Sequence, residues 1–105
     1  MLKPMQIEGG RVVEGAEGPC PILIFVKPDE RERKTLIEQH GIDEHTLNSA
    51  LDPNELARVE FQADHTVLII KRPKRYSPTD NFLFNVSSVG IFLFKERMVI
   101  VLSED

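Results

Sequence analysis

The sequence predicts an α+β fold, a mixed and mainly antiparallel sheet with two short helices packed on one face. Three observations carry this expectation. Apolar residues recur at helical spacing before Leu51 and at two-residue spacing after Arg58. Two helix-start signals stand at Asp29 and Asp43, each ahead of a periodic segment. Strand-length apolar runs, Val67–Ile70, Val89–Phe94 and Met98–Leu102, fill the second half. The 105 residues suffice for one small domain, spanning 1–105, with a modest core.

Met5–Glu8 and Arg11–Glu14 flank Gly9-Gly10, and two adjacent glycines suit a two-residue hairpin turn that needs positive φ twice. A loop rich in Gly and Pro follows, from Gly15 to Pro21. Ile22–Val26 then reads as a buried strand. Asp29 caps the first helix, and Glu32 supplies the second half of a capping box. Asp29 with Arg33, and Glu30 with Lys34, stand one turn apart and favour the helix slightly. Gly41 ends it in the left-handed region, with Ile42 expected to fold back onto Ile37. Asp43 caps a shorter helix whose inner face is Leu47, Ala50 and Leu51. Asp52-Pro53 stops it and opens one further turn.

From Arg58 the period is two. Val59 and Phe61 alternate with Arg58, Glu60 and Gln62, which predicts a strand with one wet face. Ala63-Asp64-His65 is a turn. Val67–Ile70 is apolar without alternation and reads as a strand covered on both faces. Lys71–Asn81 reads as a polar loop and Phe82–Phe94 as a long strand with Gly90 as a bulge. Lys95-Glu96-Arg97 turns the chain into the last strand, Met98–Leu102.

Hydrophobic residues make up 41% of the chain and charged residues 29%, a globular rather than a disordered balance. The net charge of -4 speaks against a general nucleic-acid binder. A single cysteine, Cys20, leaves no internal disulfide and fits a reducing compartment. The first residues show no signal peptide, and no apolar run reaches the ~18 residues of a membrane span, so the chain reads as cytosolic.

The residues give little chemistry. His40, His45 and His65 lack zinc-ligand spacing, and His40 is expected to be a dipole partner at a helix C-terminus. Cys20 has no base beside it in sequence. Ser87-Ser88 lies in a strand pattern, not in a nucleophile elbow. Gly9-Gly10 is too short to cradle phosphate. Lys71–Tyr76 is the one basic cluster. It could bind an acidic partner, but the acidic balance favours a solvated strand end. No nucleophile, base and oxyanion-stabilising set can be named, so no catalytic, cofactor-binding or metal residue is assigned and no enzyme is expected.

A resemblance sharpens this. Leu47-Asn48-Ser49-Ala50-Leu51, Ala57-Arg58-Val59-Glu60-Phe61 and Thr66–Lys71 run in the order short helix, turn, strand entry, apolar strand. Ser87–Leu93 is followed by Met98–Leu102. In this the chain resembles the N-terminal cytosolic region of CorA-type magnesium and cobalt transporters, over about Ile22 to Leu102. The resemblance implies a fragment of a larger α/β/α cytosolic domain. It implies a pentamer when intact, with magnesium as ligand or transported ion, and membrane helices with a Gly-Met-Asn motif further along. The alternative is a free-standing protein-interaction module using its sheet face or the basic loop.

Two expectations follow. Family members carry a Glu-Asp pair on the short helix that helps bind a regulatory ion. The aligned positions here are Asn48 and Ser49, whose oxygens carry no net charge, so magnesium should bind there weakly or not at all. The apolar runs also need cover on both faces, whereas both helices are connected so as to lie on one. The isolated chain should therefore self-associate as a dimer or larger assembly.

Overall fold

The computed structural model describes residues 1–15, 20–75 and 85–104. Along the chain run β1 (Leu2–Glu8), β2 (Arg11–Glu14), β3 (Ile22–Val26), α1 (Glu30–Glu38), α2 (Glu44–Leu51), β4 (Arg58–Phe61), β5 (His65–Arg75), β6 (Asn85–Phe94) and β7 (Met98–Leu102). These strands form one sheet in the order β2-β1-β3-β7-β6-β5-β4. The neighbours pair antiparallel except β3 and β7, which run parallel. The fold is thus the expected α+β, with a mixed sheet. Its parallel pair joins the N-terminal strands to the C-terminal meander. The β1–β2 hairpin and β3 are therefore part of the main sheet, which had been expected mainly from Arg58 to Leu102.

Local chemistry explains the joints. Gly9 and Gly10 have φ of 56° and 77°, the conformation a two-residue turn needs between Glu8 and Arg11. The capping box at α1 is closed in both directions, Glu32 N–H to Asp29 at 2.8 Å and Asp29 N–H to Glu32 at 3.2 Å. The Asp43 carboxylate accepts from Thr46 N–H at 3.1 Å and starts α2. After α2 the Asp52 carboxylate accepts from Asn54 N–H at 2.9 Å, and its carbonyl from Glu55 N–H at 3.2 Å, which makes the expected tight turn.

Cross-strand partners share a face, so the ladder register shows where the helices lie. Arg58 and Glu60 stand opposite Ile69 and Val67, these opposite Gly90 and Phe92, and these opposite Val101 and Val99. That row continues into Phe25 and Leu23 of β3. Phe25, Val67, Ile69, Phe92, Val99 and Val101 form one buried cluster with Leu36 of α1, Ile42, and Leu47 and Ala50 of α2. Both helices therefore cover the same face.

Several sequence readings need correction. Val59 and Phe61 point away from the helices and are 52% and 83% exposed, so in β4 the apolar residues are the exposed set. Arg58 and Glu60 take the helix side, because neither helix reaches far enough across the sheet to need apolar partners on the edge strand. In β5, Val67 and Ile69 are buried whereas Ile70 is 42% exposed. The strand is covered on one face, not on two. Strand β5 continues to Arg75 through residues read as loop. Pro73 is tolerated because β4 pairs only as far as Ile69, which leaves that side of β5 an open edge. Gly90 keeps unbroken register with both neighbours and is no bulge. A Cβ there would lie 2.6 Å from the Ala50 Cβ, so the glycine admits α2. The register shift falls between Pro73 and Arg75 instead. Gly41 has φ of 69° as expected, Ile42 N–H bonds to Leu36 O at 3.2 Å, and Ile37 packs against the buried cluster that contains Ile42. Neither Asp29–Arg33 nor Glu30–Lys34 closes as an ion pair among the described residues, since Arg33 turns to Asn48 of α2. The expected start of β6 at Phe82, and the loop end at Asn81, lie outside the described residues.

Candidate functional site: the uncovered face of the sheet

The face opposite the helices is built from three ladder rows. Val59, Leu68, Ile91, Ile100 and Ile24 follow one another across β4, β5, β6, β7 and β3. Beside them run Phe61, Thr66, Leu93, Met98, Ile22 and Met5. Ile70, Val89, Leu102 and Val26 form the third row. No charged side chain interrupts them before Lys3 and Glu14 at the far strands. Among the described residues no helix lies on this face; Val26 and Val89 in the third row are buried, the middle is half-buried, and the face opens at the β4 edge through Val59, Phe61 and Ile70. A sheet with both faces apolar needs a layer on each side. Burying a large apolar side chain is worth ~1.5–3 kcal/mol, against a typical net stability of ~5–15 kcal/mol. A surface of this kind acts as an interface.

The other candidates resolve differently. Asn48 accepts a hydrogen bond from the Arg33 guanidinium, and Ser49 is 4% exposed. The first of these oxygens is thus engaged by a cation and the second is buried. In the basic cluster, Lys71 and Arg72 are half-buried and bond within the chain. The Lys71 ammonium donates to the Asp52 carbonyl at 2.8 Å and to Ser88 Oγ at 2.5 Å. Arg72 donates to Ser87 Oγ at 3.1 Å and to the Glu104 carbonyl at 2.6 Å. The side chains of Lys74 and Arg75, and all of Tyr76, lie outside the described residues. The first two cations of the cluster are thus half-buried and bonded within the chain. Ser87 and Ser88 are the hydroxyls that receive them, a role that their strand pattern alone did not reveal.

The histidines do not converge. His65 stacks on Phe94 with ring centroids 4.5 Å apart, and its Nδ1 lies 2.6 Å from the Asp64 carboxylate, which this hydrogen bond holds below the usual carboxylate range. Arg97 covers the Phe94 ring at 4.2 Å. His40 meets Phe25 edge-on. Burial, and secondarily the charge of Arg97, lower its pKa, so His40 favours the neutral form and is not the charged dipole partner expected. Among the described residues no group of three His, Cys, Asp or Glu side chains is placed to hold a metal ion. Shallow open depressions occur between α1 and α2 beside Glu30, Glu38 and Glu44, and beside Cys20 and Arg97. No helix of the described residues is long and apolar enough to cross a membrane.

No protein-family model matches the chain, and no curated protein matches its sequence. Solved structures do. The chain is similar to the soluble domain of CorA from Methanocaldococcus jannaschii, with a TM-score of 0.72 and 21% identity over 99% of this chain and 40% of that one. It is similar also to the complete CorA magnesium transporter of the same organism, with a TM-score of 0.68 and 21% identity over 99% of this chain and 32% of that one. At this identity the likeness is one of fold. The chain spans well under half the length of either structure.

Proposed function

We propose that the chain is the N-terminal cytosolic part of a CorA-like divalent-cation transporter. In this reading it serves regulation and assembly on the cytoplasmic side of the membrane, and performs neither transport nor catalysis alone. Magnesium or cobalt is the cargo, the intact protein is a homo-pentamer, and the ion path lies in parts beyond these residues. The observation that carries the reading is the uncovered apolar face on a chain that matches, nearly end to end, 40% of a CorA soluble domain. Further segments of the same polypeptide are the natural cover for that face, which would complete an α/β/α sandwich.

A second reading has one observation in its favour. Leu56 and Phe61 are 80% and 83% exposed beside the edge strand β4, as a docking surface of a free-standing interaction module would present them. The basic loop adds little to it, because Lys71 and Arg72 are engaged internally. The coding sequence that follows Asp105 separates the two. Two closing hydrophobic spans together with a Gly-Met-Asn motif are expected. A stop codon directly after Asp105 would discard the transporter reading in favour of the module.

A further inference from the structure

One polar chain runs through the apolar sheet. Ser88 is fully buried, and its hydroxyl receives the Lys71 ammonium at 2.5 Å and donates to the Asp52 carbonyl at 3.1 Å. Asp52 is the C-cap of α2, and its carbonyl accepts from ammonium and hydroxyl as well as from Glu55 N–H at 3.2 Å. The backbone of the same Ser88 is held from the other side. Its N–H donates to Ser103 Oγ at 2.9 Å, and its carbonyl accepts from Ser103 Oγ and Ser103 N–H, both at 3.1 Å. Arg72, the next residue after Lys71, fixes the Glu104 carbonyl at 2.6 Å. Residues distant in sequence, the end of α2 and the segment leaving β7, thus meet through one buried serine.

We propose that Lys71, Ser88 and Ser103 couple the C-terminus of α2 to the segment leaving β7, so that displacing one releases the other. The physical ground is the cost of a partial network. If α2 moves off, the half-buried Lys71 ammonium and the fully buried Ser88 hydroxyl lose the Asp52 carbonyl. A half-satisfied buried network is worse than an intact or a dissolved one. The arrangement therefore opens as a unit. Binding that shifts α2 is reported at Ser103 and Glu104, and tension on that segment is reported at the Asp52 turn. The coupling stands whether the transporter reading is right or wrong.

Hydrogen–deuterium exchange of the full chain, read by mass spectrometry, tests it. Ser103→Ala removes a hydroxyl that does not touch α2. It is expected to speed exchange of the 50–57 segment roughly fivefold, the worth of about one net hydrogen bond. Lys71→Met is expected to speed exchange across 100–104 by roughly tenfold, because its bonds are charge-assisted. The stretch 23–25 of β3, paired on both sides and carrying the buried Phe25, reports global opening and should stay unchanged. Effects confined to the neighbourhood of each substitution would overturn the proposal. So would a rise at 23–25 in step with the rest. If Lys71→Met does not fold, Ser103→Ala alone decides, since it leaves the ammonium and its two acceptors in place.

Discussion

Gly90→Ala separates a helix-bearing sheet face from an open one by the sign of its effect. A glycine inside a strand is ordinarily a weakness, and alanine there should stabilise by ~0.5–1 kcal/mol through lost backbone freedom. Here the added methyl would stand 2.6 Å from the Ala50 Cβ, 2.9 Å from Val101 Cγ2 and 3.2 Å from Phe92 Cε2. Carbon atoms rest at ~3.5–4.0 Å, so α2 has to retreat by about 1 Å, and Leu47 and Ala50 move with it. Overpacking of this kind costs ~1–3 kcal/mol. At ~4–8 °C per kcal/mol for a domain near this size, Tm should fall by roughly 5–20 °C. Circular dichroism at fixed protein concentration measures it. Adding Ala50→Gly removes the closest contact. Alone it costs about 1 kcal/mol in helix propensity, yet combined with Gly90→Ala it should cost less than the sum. A Gly90→Ala protein as stable as the parent or more so would refute the placement of α2 over Gly90.

Other outcomes follow from the same geometry. Calorimetry should find no millimolar-or-tighter magnesium binding that Asn48→Ala abolishes, because uncharged oxygens are poor ligands for a hard cation and the Arg33 guanidinium already occupies Asn48. The pKa of His40 is lowered in the fold, first by burial and then by Arg97. The unfolded chain therefore binds the proton more readily. The contribution of His40 to stability is complete above the ordinary histidine value of ~6.5 and is lost as pH falls from there through the folded value. Denaturation midpoints across this window should flatten in His40→Phe and keep their slope in the exposed His45→Gln. An unchanged slope in His40→Phe would count against this environment for the ring.

The sequence was most legible where one residue decides its own surroundings. Asp29 with Glu32, Asp43, and Gly9-Gly10 announce caps and a turn through local hydrogen bonds and backbone sterics, and the structure places all of them as read. Two-residue alternation was legible too, but not its direction. It tells that Val59 and Phe61 share a face without telling which face the helices choose, and at the edge strand they choose the one with Arg58 and Glu60. That choice is set by how far α2 reaches, a property of the whole sheet. Gly90 was misread for a related reason. Its partner, Ala50, lies forty residues earlier, and only the packed structure brings the two together. The bonding roles of Lys71, Arg72, Ser87 and Ser88 were hidden because a basic run looks the same in sequence whether its cations point to water or to carbonyls. The open face was readable by counting layers: apolar strands wanting cover on two sides, and helices enough for one.

That count is the central claim, and the association state of the chain tests it most directly. Val59, Phe61 and Ile70 lie on the uncovered face and are exposed. An interface that removes such side chains from water gains on the order of 25 cal/mol per Å². Light scattering of the 105-residue chain at micromolar concentration should therefore report a dimer or larger assembly. Phe61→Lys with Ile70→Lys should return it to a monomer while the circular dichroism spectrum is unchanged. A clean monomer from the unsubstituted chain would contradict the claim that this face requires a cover.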